Sequence, residues 1–203
     1  KFSQVFIGAD SVFFPQKPSE KQKEFEVLFY GSFIPGQALE KIVEAADILR
    51  ERGVFFRLVG RGPLFEKVRG LVEKKKLKNL KLMGFVAKEL LPKFIAQADV
   101  GLGLLEDNEK TNLVVGNKVY ELIAMKKAVV NFDCIGIKEL LEDKKSVLLV
   151  QSDPQSIAQG ILLLKKNVTL RKKLAENAIV AFEQNCSSIA IGQRLRRIIS
   201  KAL

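Results

Sequence analysis

A short stretch past the middle of the chain carries residue types that can bind a phosphorylated ligand. Its apolar residues recur at helical spacing, as Val119, Leu122, Ile123 and Met125. Gly116 and Asn117 come just before them, and the pattern predicts a helix with Asn117 as its N-cap, since asparagine is favoured at that position. Lys118 and Glu121 are three residues apart and so share one face of this helix, with Cβ atoms about 5–6 Å apart.

The start of such a helix suits a phosphate, because free backbone N–H groups and the positive end of the helix dipole attract anions there. Lys118 adds a positive charge, and the Glu121 carboxylate can accept hydrogen bonds from a vicinal diol such as that of ribose. The competing interpretation is a surface pair between the two side chains, worth a few tenths of a kcal/mol. Spacing alone favours the surface pair, because such pairs are abundant.

Composition describes an ordinary globular chain. Its 203 residues are 47% hydrophobic and 28% charged, which is enough to bury a core, and no apolar run approaches the length of a membrane helix. The chain has no histidine, so its chemistry must proceed without an imidazole base or ligand. Cys134 and Cys186 lie far apart and are interpreted as free thiols in a reducing compartment, which predicts a cytoplasmic protein.

The net charge of +11 limits the classes of partner. Basic runs at 74–78, 171–173 and 194–197 fall along or at the ends of predicted helices, where solvated faces are the favoured interpretation. The alternative is peripheral contact with an anionic membrane, at its inner face. Nucleic acid is disfavoured, because no aromatic residues interleave with these runs as stacking platforms.

The elements that position this stretch alternate between two periods. Buried-strand patterns are predicted at 5–7, 27–30, 55–59, 80–83, 99–104, 128–132 and 147–150. Helical patterns are predicted over 39–50, 64–75, 88–97 and 137–142, and from residue 153 onward with breaks near 167 and at 185–188. This alternation predicts an α/β domain with a doubly wound, Rossmann-like parallel sheet.

Ligands of doubly wound domains bind at the carboxyl ends of the strands. The loops predicted there are 31–38, 60–63, 84–87 and 105–117, and the first three open with glycine, as close backbone approach to a ligand requires. The chain lacks a full dinucleotide-binding fingerprint, a P-loop and a zinc-type spacing of Cys or His.

In their order and spacing, these motifs resemble the C-terminal domain of GT-B glycosyltransferases of the group 1, or family 4, type. The resemblance covers nearly all of the chain and rests on Gly8-Ala9-Asp10, Leu58-Val59-Gly60-Arg61-Gly62-Pro63, Met83-Gly84-Phe85-Val86 and Asn117-Lys118-x-x-Glu121-x-x-Ala124-Met125. It implies one half of a GT-B fold: a linker from a missing N-terminal domain at 1–24, a nucleotide-sugar-binding domain at 25–185, and a C-terminal helix at 186–203.

The resemblance also implies a donor site. Glu121 matches the glutamate that binds the ribose hydroxyls, and Gly116, Asn117 and Lys118 match the helix start near the diphosphate. The remaining matched or nominated positions are the first loop (Gly31, Ser32), the nucleotide-lining loop (Gly60, Arg61, Gly62), the base-contacting stretch (Phe85, Val86) and one further cation (Lys110).

Three positions depart from the family pattern. The glutamate that usually touches the donor sugar falls on Leu113. The Arg and Lys that usually hold the diphosphate from the first loop align with Ser32 and Gln37. Arg61, Lys110 and Lys118 are then the remaining cations for this task.

The activity implied by the resemblance is transfer of a sugar, of the hexosyl type, from a nucleoside diphosphate sugar with retention of configuration. This reaction requires no metal or other cofactor. An acceptor glycan or lipid would bind on the missing domain. No catalytic residue is therefore assigned in this chain, and the chain alone is expected to be inactive. The alternatives are half of a nucleotide-sugar epimerase and a non-catalytic nucleotide-sugar-binding module.

Overall fold

A computed structural model describes residues 4–17 and 24–202. Its strands are β1 (Phe25–Tyr30), β2 (Val54–Val59), β3 (Leu80–Gly84), β4 (Val100–Leu102), β5 (Ala128–Phe132) and β6 (Leu148–Val150). Its α-helices are α1 (Leu39–Ile48), α2 (Phe65–Lys74), α3 (Leu91–Gln97), α4 (Glu109–Asn112), α5 (Asn117–Ala124), α6 (Ile135–Lys138), α7 (Pro154–Lys166), α8 (Val168–Asn185) and α9 (Ser188–Ala202). A 3₁₀ turn at Lys88–Leu90 leads into α3.

The strands form one parallel sheet in the order β3-β2-β1-β4-β5-β6. The sheet confirms the predicted doubly wound, Rossmann-like fold, and the helices α7 to α9 follow it at the C-terminal end of the chain. On one side of β1 lie β2 and then β3, and on its other side lie β4, β5 and β6. A crevice therefore opens between β1 and β4 at their carboxyl ends, where ligands of such folds bind.

The central strand explains why helices cover both faces of the sheet. All six residues of β1 are buried. Val27 and Phe29 belong to a core layer shared with α1 and α7, whereas Leu28 and Tyr30 belong to a second layer shared with α5. Because successive side chains of a strand point to opposite faces, a continuous apolar strand needs a cover on each side.

The predicted strand at 5–7 is wrong. Residues 4–10 follow an irregular path, and Ile7 is half-exposed. This segment lies against the junction of α8 and α9: a Cβ on Gly8 would come within 2.7 Å of the Cys186 carbonyl oxygen. The segment therefore packs on helices rather than joining a sheet edge, so no strand pairing stabilises it.

Two connections differ from the predicted pattern. The helix predicted over 88–97 is divided, because Pro92 lies at the start of α3 and favours a new first turn there. The loop predicted from 105 to 117 contains α4, whose start is fixed by a capping box. The Asn108 side chain accepts from the Thr111 N–H, and the Thr111 hydroxyl accepts from the Asn108 N–H.

The amino-terminal end of the sheet contains a buried ion pair that the sequence did not indicate. Glu26 of β1 is fully buried, and its carboxylate lies 3.0 Å from the Arg57 guanidinium of β2. Arg57 also donates to the Gln97 side chain at 2.9 Å. Burial raises the pKa of Glu26, and the positive charge of Arg57 opposes that change. This pair ties β1 to β2 at the end of the sheet remote from the crevice.

The basic runs are mostly exposed, as the solvated-face interpretation predicts. Two basic side chains are exceptions. Arg171 is half-buried, lies 3.5 Å from Asp99 and stacks over the Phe25 ring, and Lys75 is half-buried and lies 2.8 Å from Asp47. Cys134 and Cys186 are both buried free thiols. Within the described residues, no helix is both long and apolar enough to cross a bilayer.

Candidate functional site

A cleft of about 740 Å³ opens at the carboxyl ends of β1 and β4. The loop after β1, the short helix α4 and the start of α5 form its walls. It brings together seven of the residues nominated from the sequence, namely Gly31, Ser32, Lys110, Gly116, Asn117, Lys118 and Glu121. The topology therefore gathers into one place residues that are up to 90 positions apart in the chain.

Two glycines allow the loops after β1 and β2 to approach each other closely beside the cleft. Gly31 and Gly60 follow β1 and β2 with φ angles of 145° and 139°, a region that disfavours other residues. A Cβ on Gly60 would lie 1.9 Å from the Gly31 carbonyl oxygen, so a larger residue there would force the two loops apart. The Gly60 N–H also donates to the Gly84 carbonyl at 2.8 Å, which ties the ends of neighbouring strands together.

The start of α5 differs in detail from the prediction. Gly116, not Asn117, is the N-cap, and no side chain caps the helix. A Cβ on Gly116 would lie 3.0 Å from the Leu104 side chain, so close packing explains the glycine. The Val119 N–H donates to the Gly116 carbonyl at 2.8 Å. The N–H groups of Asn117 and Lys118 have no side-chain acceptor and are available to an anion in the cleft.

Lys118 is buried. Only 8% of it is exposed, its ammonium donates to Gln37 Oε1 at 2.7 Å, and it lies 4.0 Å from the centroid of the Phe29 ring. The surface-pair interpretation is therefore wrong for this lysine. Burial lowers the pKa of Lys118 to about 7, with the negative charge of Glu121 opposing the change.

Glu121 lies one turn further along α5 and is half-buried at the wall of the same cleft. Burial raises its pKa, whereas the Tyr30 hydroxyl, Lys88 and Lys118 act in the opposite direction. The carboxylate thus faces the cleft with hydrogen-bonding and positively charged neighbours. It is placed to accept hydrogen bonds from ligand hydroxyl groups.

Three residues near Glu121 were missed from the sequence. The Tyr30 hydroxyl donates to the Lys118 carbonyl at 3.1 Å, and burial raises its pKa well above the ordinary value, so it remains a donor. Asp10 and Lys88 form an ion pair of 2.6 Å whose charges act on Glu121. The position of Tyr30 at the end of a buried strand was the one available signal, whereas the pairing of Asp10 with Lys88 joins segments 78 residues apart.

A smaller cleft of about 230 Å³ adjoins the first one and shares Tyr30, Gly31, Ser32 and Leu91 with it. Its other nominated residues are Gly60, Arg61, Phe85 and Val86. Phe85 is 75% exposed, and the Arg61 guanidinium lies 5.2 Å from the centroid of the Phe65 ring. An exposed aromatic ring beside a glycine-lined slot can cover a planar ring system.

Gly62 and Leu113 are placed differently from the other nominated or aligned positions. A Cβ on Gly62 would lie 2.5 Å from the Phe33 carbonyl oxygen, so this glycine packs beneath the first loop and lines neither cleft. Leu113 is 65% exposed and lies outside the lining of the main cleft. Within residues 4–17 and 24–202, no group of three His, Cys, Asp or Glu side chains could hold a metal ion.

Known proteins similar to this chain identify its family. A profile of the family described as Glycosyl transferases group 1 matches residues 24–167. An uncharacterised glycosyltransferase of Methanocaldococcus jannaschii is 27% identical over 151 residues, which are 74% of this chain and 41% of that protein. The chain therefore spans less than half of this curated relative.

Solved structures share the fold. Sucrose-phosphate synthase of Thermosynechococcus elongatus matches with a TM-score of 0.81 at 19% identity, over 98% of this chain and 52% of that one. HepE of Anabaena, solved in complex with UDP, matches with a TM-score of 0.75 at 20% identity, over 88% of this chain and 49% of that one. With the family profile covering more than half of its residues, the chain belongs to the group 1 glycosyltransferases and has the fold of one half of a GT-B enzyme.

Proposed function

We propose that this chain is the donor-binding domain of a retaining glycosyltransferase that takes a sugar from a nucleoside diphosphate sugar. One observation carries the proposal. Lys118 and Glu121 line a single cleft at the crevice between β1 and β4, beside a helix start that no side chain caps. A diphosphate and a ribose are adjacent groups of one ligand, and this cleft offers a cation and a carboxylate one helical turn apart.

The groups of the donor would be bound as follows. The diphosphate lies at the start of α5, where the first N–H groups and Lys118 meet its charge. The Glu121 carboxylate accepts from the ribose hydroxyls. The base occupies the smaller cleft between Gly60-Arg61 and Phe85-Val86. As the sugar leaves, negative charge grows on the diphosphate, and fixed donors aimed at that charge lower the barrier.

The solved structures support a nucleotide ligand of this kind. HepE has been solved with UDP, with UDP and glucose, and with UDP-glucose, and it shares the fold of this chain. The shared fold has a crevice between β1 and β4. In this chain Lys118 and Glu121 line that crevice, so a nucleotide bound there would contact both residues.

The acceptor side belongs to another part of the proposed enzyme. The chain spans 41% of its curated relative, so a further domain would complete the cleft and bind the acceptor glycan or lipid. In this scheme residues 1–24 connect to that domain, residues 25–185 bind the donor, and residues 186–203 are the terminal segment that contains α9. Contact of the basic helices with an anionic membrane would be an additional, peripheral feature.

One observation favours a second candidate function. The first loop offers Ser32 and Gln37 where the family pattern has cations, and Gln37 is already hydrogen-bonded to Lys118. A module that binds nucleotide sugars without turning them over would tolerate these losses. Half of an epimerase would also fit the fold.

The test has two stages. First, the 203-residue chain is titrated by calorimetry with UDP-glucose, GDP-mannose and ADP-glucose. Binding of at least one, weakened in Lys118→Ala and retained in Lys172→Ala on the exposed face of α8, is the expected result, and no binding of any donor would refute the proposal. Second, the products of the full-length gene incubated with the same donors are analysed by mass spectrometry, which separates sugar transfer, epimerisation and binding alone. The 203-residue chain by itself should show no transfer, and measurable turnover by it would contradict the division of roles.

A further inference from the structure

Lys118 occupies an unusual place for a lysine. Its ammonium has the neutral Gln37 side-chain oxygen as its hydrogen-bond acceptor at 2.7 Å and the Phe29 ring at 4.0 Å. Neither partner carries a negative charge, and 92% of the residue's surface is shielded from water, since 8% is exposed. Taking an ammonium out of water without pairing it to a carboxylate is costly, so this environment favours the neutral amine.

The titratable groups around this lysine come from five parts of the fold. On α5 itself, Glu121 supplies the negative charge that acts on Lys118. That carboxylate is shared with Lys88, which in turn pairs with Asp10 at 2.6 Å. From β1, Tyr30 contributes a protonated hydroxyl directed at the Lys118 carbonyl. From α4, Lys110 lines the same cleft and adds positive charge.

The main cleft is therefore short of negative charge. Its lining includes two lysines, Lys110 and Lys118, and a single carboxylate, Glu121. In addition, the uncapped start of α5 presents the positive end of its dipole to the same space. A bound diphosphate would bring two negative charges to a position where this part of the protein supplies only one.

We propose that Lys118 takes up a proton from solvent when the diphosphate of the donor binds. The neutral amine accepts the proton, forms a third N–H bond and becomes an ammonium, and the diphosphate oxygens provide the counter-charge that the empty cleft lacks. The inference rests on the proposed function and adds to it that donor affinity falls as pH rises through the neutral range. Lys110 lines the same cleft but is exposed, so Lys110→Ala is the control for a cleft lysine that is not buried.

The size of the effect follows from proton linkage. With a pKa of about 7 in the free protein, binding should take up about half a proton at pH 7 and close to one at pH 8.5. Above pH 7 the association constant should then fall by up to about tenfold per pH unit. The fall continues until the pKa of the lysine in the complex is reached.

Calorimetry at pH 6, 7 and 8.5, in pairs of buffers that differ in ionisation enthalpy and have pKa values near the working pH, measures the proton uptake directly. The probes are UDP-glucose, GDP-mannose and ADP-glucose, whose diphosphate diesters do not titrate in this range. Uptake should be present in the wild type and in Lys110→Ala, and absent in Lys118→Arg, since arginine is charged at every pH used. Glu121→Gln should keep its uptake; loss of uptake there, with uptake kept in Lys118→Arg, would assign the proton to Glu121 and overturn the inference.

A second measurement covers the case in which Lys118→Arg fails to fold. Carbon-13 NMR of the lysine Cε resonances of the wild-type chain should reveal one lysine that titrates near pH 7 and moves above pH 9 with saturating donor. Donor binding without proton uptake, or every lysine titrating near its ordinary value, overturns this inference and leaves the proposed function intact. Failure of all three donors to bind overturns the proposed function and the inference with it.

Discussion

Replacement of Glu121 by alanine should weaken nucleotide binding with little loss of stability. A hydrogen bond to a charged group contributes about 1.5–3 kcal/mol net, which is roughly a tenfold to hundredfold change in affinity. The structure indicates why folding should survive. Glu121 is half-buried, and the Tyr30 hydroxyl keeps the Lys118 carbonyl as its acceptor when the carboxylate is removed. No buried donor is therefore left unpaired.

Calorimetry with UDP and with 2′-deoxy-UDP turns this expectation into a double-mutant cycle. If Glu121 accepts from the ribose 2′-hydroxyl, removal of that hydroxyl should weaken binding to the wild type and have little further effect on Glu121→Ala. Glu121→Gln should lose less than Glu121→Ala, because an amide oxygen still accepts one hydrogen bond. Lys118→Ala provides the contrast: it should weaken UDP binding much more than uridine binding. Equal affinities of the wild type and both Glu121 variants for UDP would refute the ribose contact.

Three further predictions concern stability and surface charge. Gly60→Ala places a Cβ 1.9 Å from the Gly31 carbonyl and should lower the free energy of unfolding in urea by about 2–4 kcal/mol. The matched control, Gly70→Ala on an open face of α2, should be neutral or stabilising by about 0.5–1 kcal/mol. Lys118 has a pKa near 7 when folded and about 10.4 when unfolded, so the unfolded chain binds more protons between these values and wild-type stability rises with pH across that interval. Lys118→Met should therefore raise the thermal midpoint by several degrees at pH 6, with a gain that shrinks towards pH 10; an equal shift at both pH values would contradict this sign. Binding to anionic vesicles should be weak and should disappear near physiological salt, where screening acts over about 8 Å, and salt-resistant sedimentation with the vesicles would instead indicate a membrane-docking surface.

The sheet was predictable because each of its strands has a strong local signal. Val27 to Tyr30 is continuously apolar and ends at a glycine, and the strands that precede Gly60 and Gly84 also end at a glycine and are apolar apart from Arg57 and Lys81. Residues 5–7 have a similar composition, yet they form no strand, because this segment packs against the junction of α8 and α9 and not along an edge strand of the sheet. Glu26 is the converse case: a carboxylate inside a buried strand is tolerated because Arg57, 31 residues away, meets it.

At the candidate site, the residues that line the cleft were easier to predict than the burial and contacts of their side chains. The spacing of Lys118 and Glu121 indicated a shared helix face. The family resemblance indicated the ligand groups that they would bind, namely the diphosphate and the ribose. Burial of Lys118 was not accessible from the sequence, because it arises from Phe29 and Gln37 on another part of the chain. The ion pair of Asp10 with Lys88 was missed for the same reason. A single sequence does not show which distant segments come into contact.

The strand order also has a consequence for how the chain folds. β1, β2 and β3 are consecutive in sequence and adjacent in space, so the first 84 residues contain a complete three-stranded unit. The other edge of β1, which includes the buried Val27 and Leu28, is covered only when β4 arrives some 70 residues later. We expect the first half to form early with an apolar, unpaired edge that is prone to association. Because the crevice exists only once β4 has docked on β1, the proposed nucleotide site should form late in folding, after most of the secondary structure is in place.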